Sequence, residues 1–103
     1  MTNKELKDLI YDQVQDEDEL DKIVVLEGDE FADGAIGLTE DHRVVYSYDR
    51  LVKSLAKSYA DDGNIEDPEI SAIEWLDYNT LRSLPYMESQ GLLAPVIIYE
   101  FDV

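Results

Sequence analysis

Between Asp16 and Asp41 the chain carries eleven carboxylates (Asp16, Glu17, Asp18, Glu19, Asp21, Glu27, Asp29, Glu30, Asp33, Glu40 and Asp41) against one base, Lys22, a net −10 in 26 residues. An unpaired buried charge is strongly unfavourable, so most of these side chains are expected on solvated faces. Crowded together they also repel one another and destabilise the compact state. A quarter of the chain is thus committed to the surface, and the core has to come from the rest and from short apolar islands such as Ile23 to Leu26.

The remainder is well suited to that task. With 103 residues and 45% apolar residues, the chain is expected to form a single acidic α+β domain spanning 1–103. At this size folding buries somewhat under roughly 70% of the unfolded surface, which leaves little room for a deep internal site. Function is expected on the surface. No cysteine is present, so disulfides and thiolate metal sites are excluded. The start, Met1 to Asp8, lacks the apolar stretch of a signal peptide, and no apolar run nears the roughly 20 residues that span a bilayer. A cytoplasmic setting is expected. Twenty-five acids against eight bases give −17 overall, which repels nucleic acid and anionic membranes and favours a basic protein partner.

Thr2 followed by Glu5 has the spacing of a capping box, and Leu6, Leu9, Ile10 and Val14 fall on one face of a first helix over about 3–15. Ile23 to Leu26 fits either a buried strand or the end of a short helix. Ala35 to Thr39 and Arg43 to Ser47, around the break Glu40-Asp41-His42, read as a β-hairpin. Ser47 or Asp49 caps a second helix with Leu51, Val52, Leu55, Ala56 and Tyr59 inward, ended at Asp62-Gly63. Asp67-Pro68 opens a third helix, with Ile70, Ile73 and Leu76 inward, running to Tyr78 or Asn79. Thr80 to Pro85 reads as a helical turn broken by the proline. Ile97, Tyr99, Phe101 and Val103 alternate with a face that turns acidic at Glu100 and Asp102, as in a final strand packed on helices by one side. The fold expected is a small, mostly antiparallel sheet of three or four strands with about three helices on one face, in the order α-(β?)-β-β-α-α-β.

The block Glu74-Trp75-Leu76-Asp77-Tyr78-Asn79-Thr80-Leu81-Arg82-Ser83-Leu84-Pro85-Tyr86, then Ala94-Pro95-Val96-Ile97-Ile98-Tyr99, resembles a group of small acidic proteins of Gram-positive bacteria and their phages and mobile elements. The hairpin segments Ala35 to Thr39 and Val45 to Asp49 are similar to the same group, so the resemblance covers Phe31 to Tyr99. It implies a phage or mobile-element setting and carries no catalytic residues. The acidic first third lies outside it.

Chemistry-bearing constellations are few. His42, the one histidine, falls in the hairpin turn between acids and Arg43, where a tuned general base is hard to bury, so an exposed turn residue is expected. With 25 acids, any carboxylate pair is uninformative. Asp29 to Glu40 matches a calcium loop at Asp29, Asp33, Gly34, Ile36 and Glu40, but Phe31 removes a ligand and a strand follows instead of a helix. Loose cation condensation is the expectation there, with a specific ion left open and no metal or other cofactor assigned. Trp75, Tyr78, Asn79, Arg82 and Tyr86 gather where a helix is expected to end. They read either as a structural corner, with Arg82 paired to an acid such as Asp77, or as a partner-contact patch.

Three functions follow, in order. The first is a non-enzymatic acidic inhibitor that occupies the basic groove of a nucleic-acid-binding host defence protein. The size scaling gives roughly 5,900 Å² of surface, or about 350 Å² per net charge, against about 100 Å² per charge on DNA. Such mimicry therefore requires the Asp16 to Asp41 acids to gather on one face. The second is an interaction module whose charge serves solubility and whose contact is the Trp75 to Tyr86 corner. An enzyme ranks last, for want of a nucleophile, a metal set or a phosphate-binding glycine loop.

Overall fold

The computed structural model describes residues 1–63 and 66–101. Thr2 and Glu5 close the capping box: Thr2 Oγ1 accepts the Glu5 N–H, and Glu5 Oε1 accepts the Thr2 N–H, each at 3.1 Å. Helix α1, Asn3–Gln13, follows and buries Leu6 and Ile10, with Val14 buried just past its end. Leu9, expected on that face, points outward and is 50% exposed. The acidic run then forms a one-turn helix, α2, Glu17–Leu20, because Asp16 accepts the N–H groups of Asp18 and Glu19. A second one-turn helix, α3, Asp29–Ala32, puts Phe31 and Ala32 into the core. Between them the 23–26 segment is neither strand nor helix. Ile23 makes a single parallel bridge to Leu93, and the Leu26 N–H donates to the Tyr46 phenol oxygen at 3.0 Å.

The hairpin forms where expected. Strands β1, Ala35–Leu38, and β2, Val44–Ser47, pair antiparallel with a bulge between Ala35 and Gly37. Ser47 then caps helix α4, Tyr48–Asp62, by accepting the Arg50 N–H, and Gly63, at φ +74°, ends it in the left-handed conformation. Leu51, Val52 and Leu55 are buried along it.

After α4 the structure departs from the expectation. Asp67 caps helix α5, Pro68–Trp75, as its sequence indicates. The chain then continues through a π-helical turn, Leu76–Thr80, into helix α6, Leu81–Ser89, with Pro85 inside it. No corner breaks the helix at Thr80 to Pro85. Proline removes one N–H from the ladder of α6, and upstream of it the turn is wider, with the Leu81 N–H reaching back to the Leu76 carbonyl. Ala72 and Leu76 face inward with Ile73, while Ile70 is 53% exposed.

Strand β3, Val96–Ile98, pairs with β2 in parallel, Val45 opposite Val96 and Ser47 opposite Ile98. The sheet is therefore mixed, in the order β1-β2-β3, and not mostly antiparallel. The long α4–α5–α6 connection is what a parallel return requires. β3 is shorter than the alternation suggested: Ile97 packs on the core, but Tyr99 and Phe101 are exposed, at 66% and 92%. Tyr99 lies against Tyr48 at the start of α4, with ring centroids 4.8 Å apart. Asp102 and Val103 lie outside the described residues. Val14 after α1, Val44 and Tyr46 of β2, Leu51 of α4 and Leu76 of the π turn are the most deeply buried large apolar side chains of the core. Among the described residues no helix is long and apolar enough to cross a membrane.

Candidate functional site

The eleven acids of Asp16 to Asp41 divide into two groups. Around the start of α1, Asp33 Oδ1 sits 2.7 Å from the Met1 ammonium, whose pKa is raised mainly by that hydrogen bond. Asp29 accepts the Asn3 N–H at 2.8 Å, and Glu27 takes the Asn3 side-chain amide at 2.8 Å and Lys7 at 3.1 Å. Glu27, Asp29 and Asp33 thus tie the 27–33 segment to α1. Neighbouring Glu30 is half-buried beside Gly28.

The second group surrounds α2. His42, at φ +66° in the β1–β2 turn, places Nδ1 3.0 Å from Glu19 Oε2. The nitrogen is buried and makes no hydrogen bond, so this is a charge contact that operates only when the ring is protonated. His42 is half-buried, which corrects its reading as an open turn residue. This contact joins α2 to the β1–β2 turn that carries Glu40 and Asp41. The same turn is braced by Arg43, which reaches Asp41 at 2.9 Å, Glu88 at 3.2 Å and the Ala94 carbonyl at 3.3 Å. Asp41 also accepts the Thr39 hydroxyl, and this bond, then the one from Arg43, holds its carboxyl below the usual aspartate range. Glu88 joins the group from α6, 45 residues away in sequence from Arg43, a distance at which no local pattern reports it.

The calcium-like segment 29–40 does not wrap round a centre. It splits into α3 and β1, and Asp29 and Asp33 turn to the start of α1. Among the described residues no three His, Asp or Glu side chains are grouped as a metal ion requires.

The aromatic set lies along a continuous helix instead of at a corner. Trp75, Tyr78, Asn79 and Arg82 line one open groove with Tyr59, Glu74 and Asp77, whereas Tyr86 lies outside it. Arg82 is not paired with Asp77: its guanidinium lies over the Tyr78 ring, 4.7 Å from the centroid. Asp77 instead accepts the Tyr48 hydroxyl at 3.2 Å. Burial first, and then the Asp77 charge, raises the Tyr48 phenol pKa. The Asn79 side-chain amide donates to the Trp75 carbonyl one turn back in the helix, at 3.2 Å. Trp75 rests on Phe31, with centroids 5.4 Å apart, and is 39% exposed.

A third concavity, which the sequence did not single out, runs between α1, α2 and the 23–25 segment, with Ile10, Tyr11, Leu20, Ile23 and Val25 on its walls. Its parts lie too far apart in the chain for any periodicity to link them. Comparison with protein-family models, with curated proteins and with solved structures finds no match to this chain.

Proposed function

We propose that this chain is a non-enzymatic acidic binding protein whose α2 and hairpin-turn carboxylates occupy a basic nucleic-acid-binding groove on a partner protein. The observation that supports the reading is the approach of Glu19 to His42, which joins the acidic helix α2 to the turn that carries Glu40 and Asp41. Local gathering matters because average charge is too dilute: 6818 Å² of surface divided among 17 net charges is about 400 Å² each, against about 100 Å² on DNA. The resemblance to proteins of phages and mobile elements supports the same setting, inhibition of a host defence nuclease in the cytoplasm. A solvated carboxylate face also speaks for binding by charge rather than for acid catalysis, which needs a carboxyl in an apolar pocket.

Replacing Asp16, Glu17, Asp18 and Glu19 by Asn or Gln keeps side-chain size and removes four charges. In competition with a short labelled duplex for basic nucleases, the protein displaces the duplex. The quadruple variant does so less well, through slower association and with a shallower salt dependence. Unchanged displacement and salt slope in the variant would overturn this reading.

A second reading has its own observation. Tyr78 is 70% exposed beside Trp75 and Arg82, residue types that dominate interface energetics, so the α5–α6 groove serves as the contact of an interaction module whose charge maintains solubility. Arg82→Ala abolishing binding that the quadruple variant leaves intact would select it.

A further inference from the structure

We propose that the groove between α1 and α2 seats an apolar side chain of the basic partner, so that the ligand is a cationic amphipathic segment and not an array of charges alone. The proposal rests on the acidic-face reading and specifies what that face grips. The groove has a volume of about 420 Å³, at the lower end of the roughly 300–1,000 Å³ typical of ligand pockets, which suits one or two side chains rather than a whole element. Its walls are apolar: Ile10 is buried beneath it, Leu20, Ile23 and Val25 are half-buried, and Tyr11 stands at its edge 62% exposed.

The charge on its rim gives the sign of the occupant. Glu17, Leu20 and Asp21 are spaced i, i+3 and i+4, so the short helix turns one leucine and two carboxylates to the same side. Lys7, the base at the rim, is engaged by Glu27 at 3.1 Å. Among the described residues Glu17 and Asp21 make no ion pair, and they leave the rim negative. An apolar ligand would strip water from these carboxylates without replacing it, and a purely cationic one would leave the leucine, isoleucine and valine walls wet. A segment with a large apolar residue flanked by lysine or arginine satisfies both.

Two synthetic helical peptides of equal charge test this, one of leucine and lysine and one with every leucine replaced by glutamine, titrated while backbone amide shifts are followed. The leucine peptide is expected to bind about tenfold or more tightly than the glutamine peptide, the loss of one buried leucine contact, and to shift Tyr11, Leu20, Ile23 and Val25. Tyr11→Ser, at an exposed position that leaves the fold intact, is expected to weaken the leucine peptide several-fold and leave the glutamine peptide unchanged. Equal binding of both peptides overturns the groove while the acidic-face reading stands. Binding of neither overturns the acidic-face reading, and the groove with it. Shifts centred on Trp75 and Tyr78 overturn the assignment to this groove.

Discussion

Tyr46 has no exposure at all, yet its phenol oxygen is the acceptor for the Leu26 N–H. One residue thereby anchors a non-repetitive segment to the middle of the sheet. Tyr46→Phe leaves a buried N–H without a partner, and an equilibrium urea titration is expected to show about 1–3 kcal/mol less stability. Burial also pushes the phenol up to about 12 from its ordinary 10.0. Because the folded value is raised, the neutral ring's contribution is complete below pH 10 and is lost as pH rises toward 12. Across that interval the wild type is expected to lose stability faster than Tyr46→Phe, measured in the same titration. Gly34 is the other sensitive point. A Cβ there would stand 2.5 Å from Leu51 Cδ2 and 2.8 Å from Cγ, and Leu51 is itself buried with nowhere to move. Gly34→Ala is expected to cost about 1–3 kcal/mol by overpacking.

Elements with a local signature were legible in the sequence. The capping box, the Ser47 and Asp67 caps, the Gly63 stop and the hairpin each report on neighbours within a few residues, and each formed. Ser47 shows what such a cap is worth: Ser47→Ala is expected to lower stability by about 0.5–2 kcal/mol in thermal unfolding, by freeing the Arg50 N–H. The one-turn helices were not legible, because four residues are too few to show a period and the acids of α2 mask its single apolar position, Leu20. The continuous helix from Pro68 to Ser89 was hidden differently. Pro85 reads as a helix breaker, and Ala72, Leu76 and Thr80 recur every four residues, a spacing that drifts about 40° per step round an α-helix. The π turn is wider and takes that drift up, keeping Leu76 and Thr80 buried together. The candidate site was half legible: acid content was visible, but its division into two groups depends on contacts of Asn3, Lys7 and His42 that cross 20 or more residues, as does the one from Arg43 to Glu88.

At the scale of the whole molecule, that division gives charge removal two opposite signs. Neutralising Asp16, Glu17 and Asp18 relieves repulsion and is expected to raise the melting temperature, whereas Asp29→Asn and Asp33→Asn weaken the attachment of the 27–33 segment to α1 and lower it. Calorimetry at low salt distinguishes the two, since a mere excess of negative charge would make every such substitution stabilising. The two halves of the sheet differ as sharply in how they come together. β1 and β2 meet across the five residues of Thr39 to Arg43, while β2 and β3 meet only when Val96 returns to Val45 past all of α4, α5 and α6. Long closures of this kind are slow to form. During synthesis on the ribosome, β2 is therefore complete and helical neighbours are forming while the edge destined for β3 is still unpaired. Residues 96–98 act as a late seal, and until they emerge a nascent chain offers that edge to any other strand it meets.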